Sequence, residues 1–237
     1  MRFFTIIILL LFNFSILSQG LFEYFKLTAD GDGAEKFDRI IVDVNWNHWT
    51  RSPNGIHQGI YSFGVSAFLF KDIPLHAKSN FSFAFGIGFD SQNFHHDGQF
   101  IFEQDLNGDI YTDLILLPED YVFYKNKIAM NYVDLPIEFR IRTMNRTLED
   151  RMKFNFRLYL GFKGGFLVND HLKITDTESK TKIFNIPNAM IYRYGPTIRI
   201  GFNKIAFNAF YSLTTLFEKD KGIALTPYSI GVSWMRF

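Results

Sequence analysis

Large apolar residues recur at every second position along most of this chain. Phe81, Phe83, Phe85, Ile87 and Phe89 alternate with Ser82, Ala84, Gly86, Gly88 and Asp90. A strand places two such sets on opposite faces. The same period of two runs through Ile40–Trp46, Tyr61–Leu69, Val133–Ile141, Phe154–Phe162, Tyr192–Ile200, Ile205–Leu213 and Tyr228–Trp234. Together these predict eight strands of about 10 to 15 residues. Soluble strands typically have about 5–6 residues, whereas a tilted membrane strand needs about 9–11. Eight is also an even number, as bacterial single-chain barrels require.

The chemistry of the two faces separates a membrane barrel from a soluble one. A periplasmic sandwich or a lipocalin-like barrel would turn Lys, Glu and Thr outward. Here the face opposite the large residues is instead rich in Gly, Ser and Ala, with only a few charges. Small residues suit the crowded inside of a narrow barrel, and a Phe-rich face suits lipid. The pattern therefore predicts an all-β protein, an eight-stranded antiparallel up-and-down transmembrane β-barrel with an N-terminal signal peptide.

The first residues fit export. Arg2 supplies a positive start, and Phe3–Phe12 is apolar except for Thr5, the length of a signal h-region and too short for a spanning helix. Ser18-Gln19-Gly20 offers small residues for cleavage. The expected division is a signal peptide over 1–20, a short periplasmic segment over 21–37 and a barrel domain over 38–237. Composition narrows the partners. The chain carries 25 Lys+Arg against 24 Asp+Glu, so nothing favours nucleic acid electrostatically. The absence of Cys excludes a disulfide scaffold, thiolate metal sites and a lipidated Cys. The 29 Phe among 237 residues call for much apolar surface without long apolar runs.

The links fit one orientation. Those expected after the second, fourth and sixth strands are short to medium: Lys71–Ser79, Thr143–Met152 and Asn203-Lys204. The two longest, about Phe94–Lys125 and Asn169–Asn188, fall on the other side. Outer-membrane barrels have short periplasmic turns and long external loops, so both termini are expected in the periplasm. Trp46, Trp49, Phe94, Tyr132, Tyr192, Tyr211, Phe217 and Trp234 lie near strand ends, where an aromatic girdle belongs. At the C-terminus, alternation places Arg236 outward and Phe237 inward. This predicts either a bulge near Met235 or a departure of the last residues from the sheet.

The interior of an eight-stranded barrel has room only for side chains. Asp43, Asp134 and Glu138 are expected there with Arg140, Arg142, Arg157, Lys163, Arg193 and Arg199, paired into a plug because an unpaired buried charge is costly. No catalytic, cofactor-binding or metal-ligating residue is assigned. A barrel hydrolase needs an activated Ser with a His base and an acid, and His48, His57, His76, His95, His96 and His171 show no such pairing. His95-His96 would point to opposite sides of an extended chain. Asp105-Leu106-Asn107-Gly108-Asp109 spaces oxygens as a Ca²⁺ loop does, but Ile110 and Leu116 stand where that loop needs Gly and Glu. It and Asp30-Gly31-Asp32-Gly33 are expected to be solvated turns.

Several stretches carry a family resemblance. They are Asp38–Trp46, Asp72-Ile73-Pro74-Leu75 with Ser79–Ala84, Tyr132–Glu138, Tyr194-Gly195, and Tyr211–Phe217 with Lys221-Gly222. In these the chain resembles the outer-membrane β-barrel proteins of Bacteroidota, a group that includes the PorT-like barrels. The resemblance implies an outer-membrane location and no particular activity. The expected role is that of a non-enzymatic integral barrel, structural or accessory, acting through external loops or partners. A subunit of an envelope machine such as type IX secretion or gliding is the alternative. A lipid-modifying enzyme or a small-solute channel comes after these. The expected partners are outer-membrane lipid, the barrel insertion machinery reading the C-terminal strand that ends at Phe237, and envelope proteins.

Overall fold

A computed structural model describes residues 39–75, 80–118, 121–143, 156–177 and 179–236. The signal peptide expected over 1–20, the periplasmic segment expected over 21–37, and His76, Phe154 and Phe237 lie outside the described residues. Those described form β1 (Ile40–Thr50), β2 (Phe63–Pro74), β3 (Phe81–His95), β4 (Gly98–Gln104), β5 (Ile110–Leu116), β6 (Phe123–Arg142), β7 (Phe156–Asp176), β8 (Lys180–Phe184), β9 (Tyr192–Phe202), β10 (Ile205–Tyr211) and β11 (Thr226–Arg236). The order β6-β3-β2-β1-β11-β10-β9-β7 closes through a β6–β7 pairing, and every pair is antiparallel. Among the described residues, the barrel thus has eight strands in chain order. β4 and β5 form a separate hairpin and β8 extends the outer end of β7.

The register fixes the tilt. Cross-strand partners lead once around the barrel from Phe81 through Ile141, Leu158, Ile200, Phe207, Val232, Val44 and Val65 to Ser91. That circuit returns to β3 ten residues higher than it began. Ten residues advance about 34 Å along a strand while eight strands span about 38 Å of circumference, giving a tilt of about 40°. The outer wall between the Phe81 and Phe89 rows is then about 21 Å tall, close to the ~25 Å apolar band of outer-membrane barrels. Phe63, Val65, Phe83, Phe89, Ile137, Phe162, Ile198 and Val232 are all exposed on that wall. The β3–β6 ladder lapses between Phe85↔Ile137 and Gly88↔Asp134. Pro136 lies opposite this gap and has no N–H to give.

Strand ends depart from the expected ones in a consistent way. β2 continues through Lys71–Pro74, β6 begins at Phe123 and β7 runs on to Asp176. Lys71–Pro74 extends β2 at the inner end, and at the outer end β6 and β7 rise past the membrane through what sequence assigned to links. On the opposite side the β9–β10 turn has two residues, with Asn203 at φ 53°, a left-handed conformation that Asn tolerates. At the C-terminus, pairing with β1 runs unbroken from Trp234 through Met235 to Arg236. Neither a bulge near Met235 nor a departure of Arg236 from the sheet occurs.

The aromatic girdle is smaller than expected. Trp46, Tyr192, Tyr211 and Trp234 face outward, whereas Trp49, Phe94, Tyr132 and Phe217 are buried. Trp49, Phe94 and Tyr132 fall on the inward phase of their strands. With Phe217 they belong to a hydrophobic cluster drawn from every outer link: Ile56, Phe100 and Leu114, Ile186, and Leu216 with Leu225. Hydrogen bonds lock these links together. The Asn188 amide donates to the carbonyls of Ile110 (2.6 Å) and Lys221 (3.0 Å), and Thr112 Oγ1 donates to Pro187 O (2.8 Å). The outer end of the barrel is therefore a packed cap rather than a set of separate loops.

Candidate functional site

Below the cap, β-strand alternation delivers charged side chains into the barrel. Asp43, Asp134, Glu138, Arg140, Arg142, Arg157, Lys163, Arg193 and Arg199 are all buried, as their phase predicts. Two acids that sequence did not place among them, Asp72 and Asp90, are buried there too. Asp90 lies on the inward phase of β3 and was recoverable from alternation. Asp72 was hidden by the assignment of Lys71–Ser79 to a link. The glycines opposite make room: a Cβ at Gly165 would collide with the Asp134 carboxylate, and one at Gly161 would come within 2.9 Å of Glu138 Cγ.

The charges interlock in three tiers. In the outer tier Lys163 Nζ lies 2.9 Å from Asp90 and 3.0 Å from Asp134, while Arg193 Nη2 lies 2.5 Å and 2.7 Å from the same two carboxylates. Arg193 stacks on Tyr132 at 3.8 Å and Lys163 on Phe210 at 4.2 Å, so aromatic faces screen both cations. In the middle tier Arg199 bridges Asp43 (2.6 Å) and Glu138, and it also donates to Ser233 Oγ. In the inner tier Arg140 joins Glu138 (2.7 Å) to Asp72 (2.9 Å), and Arg142 pairs with Asp72 and donates to Tyr159 Oη (3.0 Å). Glu138 thus links two tiers. Among the described residues, five lumenal carboxylates face six lumenal cations, and each of the five is ion-paired.

The histidines scatter. His48 stands on the outer wall against Trp46 and Tyr228, and His57 is exposed in the β1–β2 link. His95 and His96 point to opposite faces, as adjacent residues of an extended chain must. His171 is on the outer face of β7. Among the described residues no group of three or more His, Asp or Glu is placed to hold a metal. The Asp105 carboxylate accepts from the backbone N–H groups of Asn107 (2.8 Å) and Asp109 (2.9 Å), which makes it the cap of the β4–β5 turn. Asp30–Gly33 lies outside the described residues.

Among the described residues, His96 is the one histidine buried in the cap. It packs against Trp49 (5.6 Å) and Phe100 (5.1 Å), and burial pushes its pKa down to about 4. An unfolded His titrates near 6.5. Above that pH both states are neutral. As pH falls from about 6.5 toward 4 the open state alone takes the proton, so the closed cap loses stability, about 3 kcal/mol in all. In a protein whose other tryptophans are replaced by Phe, Trp49 emission is expected to change over this window. The His96→Phe variant should remain flat. An acid response unchanged by that substitution would place its source elsewhere.

The family model of the outer membrane protein beta-barrel domain matches residues 40–220, from the first barrel strand into the last outer link. No curated protein and no solved structure matches the chain. The closed register, the apolar outer wall and the charged interior agree with that match, and the chain belongs to the outer membrane protein beta-barrel domain family as an integral protein of the outer membrane.

Proposed function

We propose that this barrel is non-enzymatic and non-conducting, and that it acts as an accessory protein through its outer cap. The observation that carries this reading is the filled interior. Three tiers of ion pairs are roofed by a hydrophobic cluster to which every outer link contributes. Such an interior serves as a rigid mount for the cap. In planar bilayers the protein is expected to give no conductance steps, and deletion of the protein is expected to leave the mass spectrum of lipid A unchanged. Discrete steps or an altered spectrum would overturn this assignment.

A second reading, a subunit of an envelope machine, is favoured by the β4–β5 hairpin. Leu106, Ile110, Tyr111, Ile115 and Leu116 are exposed on it, an unusual set for a hairpin standing in water. Purification in mild detergent distinguishes the two: a stoichiometric partner supports the machine, and the barrel alone counts against it.

A further inference from the structure

The outer face of the strands that rise past the membrane carries a dense positive patch. Above the apolar row Phe89–Val133–Phe166 comes the polar row Ser91–Asn131–Asn169. Four residues further along, His95, Lys127, Lys173 and Lys182 stand side by side on four adjacent strands. The next row pairs Lys125 with Thr175 and Thr175 with Lys180, and His171 lies just below. Like charges directly opposite each other on a sheet repel. Among the described residues no carboxylate pairs with any of these five lysines. Asp176, the nearby acid of β7, faces the other way and accepts from Tyr121 (2.8 Å). Burial first, and the neighbouring ammonium groups second, lower the pKa of Lys127 and His171.

We propose that this patch binds the phosphate and carboxylate groups of an acidic glycolipid of the outer leaflet. The height selects that occupant. Four residues at a 40° tilt place the lysine row about 10 Å above the polar rim. A phospholipid headgroup region is only about 5–7 Å deep, whereas charged sugars extend further. Four strands span about 14 Å, enough to engage one headgroup through several ammonium groups at once. The site is on the barrel wall, so it is independent of any partner of the cap.

The test uses the full-length protein folded into vesicles of phosphatidylcholine alone or with added diphosphorylated lipid A bearing its core sugars. Acetylation of Lys125, Lys127, Lys173, Lys180 and Lys182 by a soluble reagent is followed by peptide mass. Protection is expected only with the acidic glycolipid. In native mass spectra, the variant Lys127→Gln/Lys173→Gln/Lys182→Gln should retain that lipid on the order of a hundredfold less well. Loss of a heat-modifiable band would mark misfolding of the variant, and the acetylation of the parent then decides alone. Equal protection by phosphatidylglycerol, by inorganic phosphate or by the dephosphorylated glycolipid would overturn the proposal.

Discussion

Replacing Arg193 by Leu is expected to destabilise the barrel by about 3–5 kcal/mol, the cost of leaving buried charge without its partner. Arg193 holds Asp90 and Asp134 together from one side and Lys163 from the other. Without the guanidinium, two carboxylates share one ammonium in an interior closed to water, and Tyr132 loses the cation stacked on its ring. Urea unfolding in lipid vesicles, followed by heat-modifiable gel mobility, measures the effect. Combining Arg193→Leu with Asp90→Asn removes one charge of each sign and should recover part of the loss. If the single variant unfolds at the parental urea concentration, the outer tier is hydrated and the lumen is not a plug.

A charge on the opposite face should act through a different term. Phe162→Arg is expected to cost about 2–4 kcal/mol, the value for Arg on the lipid face near the bilayer midplane. Phe162 is exposed on the outer wall, stacked with Tyr194 and midway along the apolar stretch of β7. Phe85→Arg should cost less, because Phe85 lies beside Lys71 toward the inner rim, where a long cation can reach headgroups. Gly86→Arg fails for a steric reason: a Cβ there meets Leu69 O at 2.5 Å and the Phe70 ring at 2.9 Å. Equal stability of Phe162→Arg and the parent would place that residue off the lipid face.

Alternation along the chain identified the strands and told inward from outward positions. A strand has only two faces, and the difference between lipid and a crowded lumen is large enough to mark each of them. The nine lumenal charges read this way are all buried. The same rule would have removed Trp49, Phe94 and Tyr132 from the girdle. Proximity to a strand end does not override phase.

Other features depended on distances that a local pattern does not contain. Arg199 meets Asp43 across 156 residues, and Asn188 reaches Ile110 across 78. Which acid faces which base follows from the ten-residue offset of the closed sheet. That offset depends on all eight pairings at once. The cap likewise forms only when the outer links converge, since none buries enough apolar surface alone. The basic patch needs both causes. Its lysines are visible in the sequence as separate charges, but the pairing of β6, β7 and β8 sets them in one row. The membrane barrel and the facing of its residues are legible along the chain, because period and polarity are local properties. The ion-pair tiers, the sealed cap and the positive wall arise only where the closed register brings distant residues together.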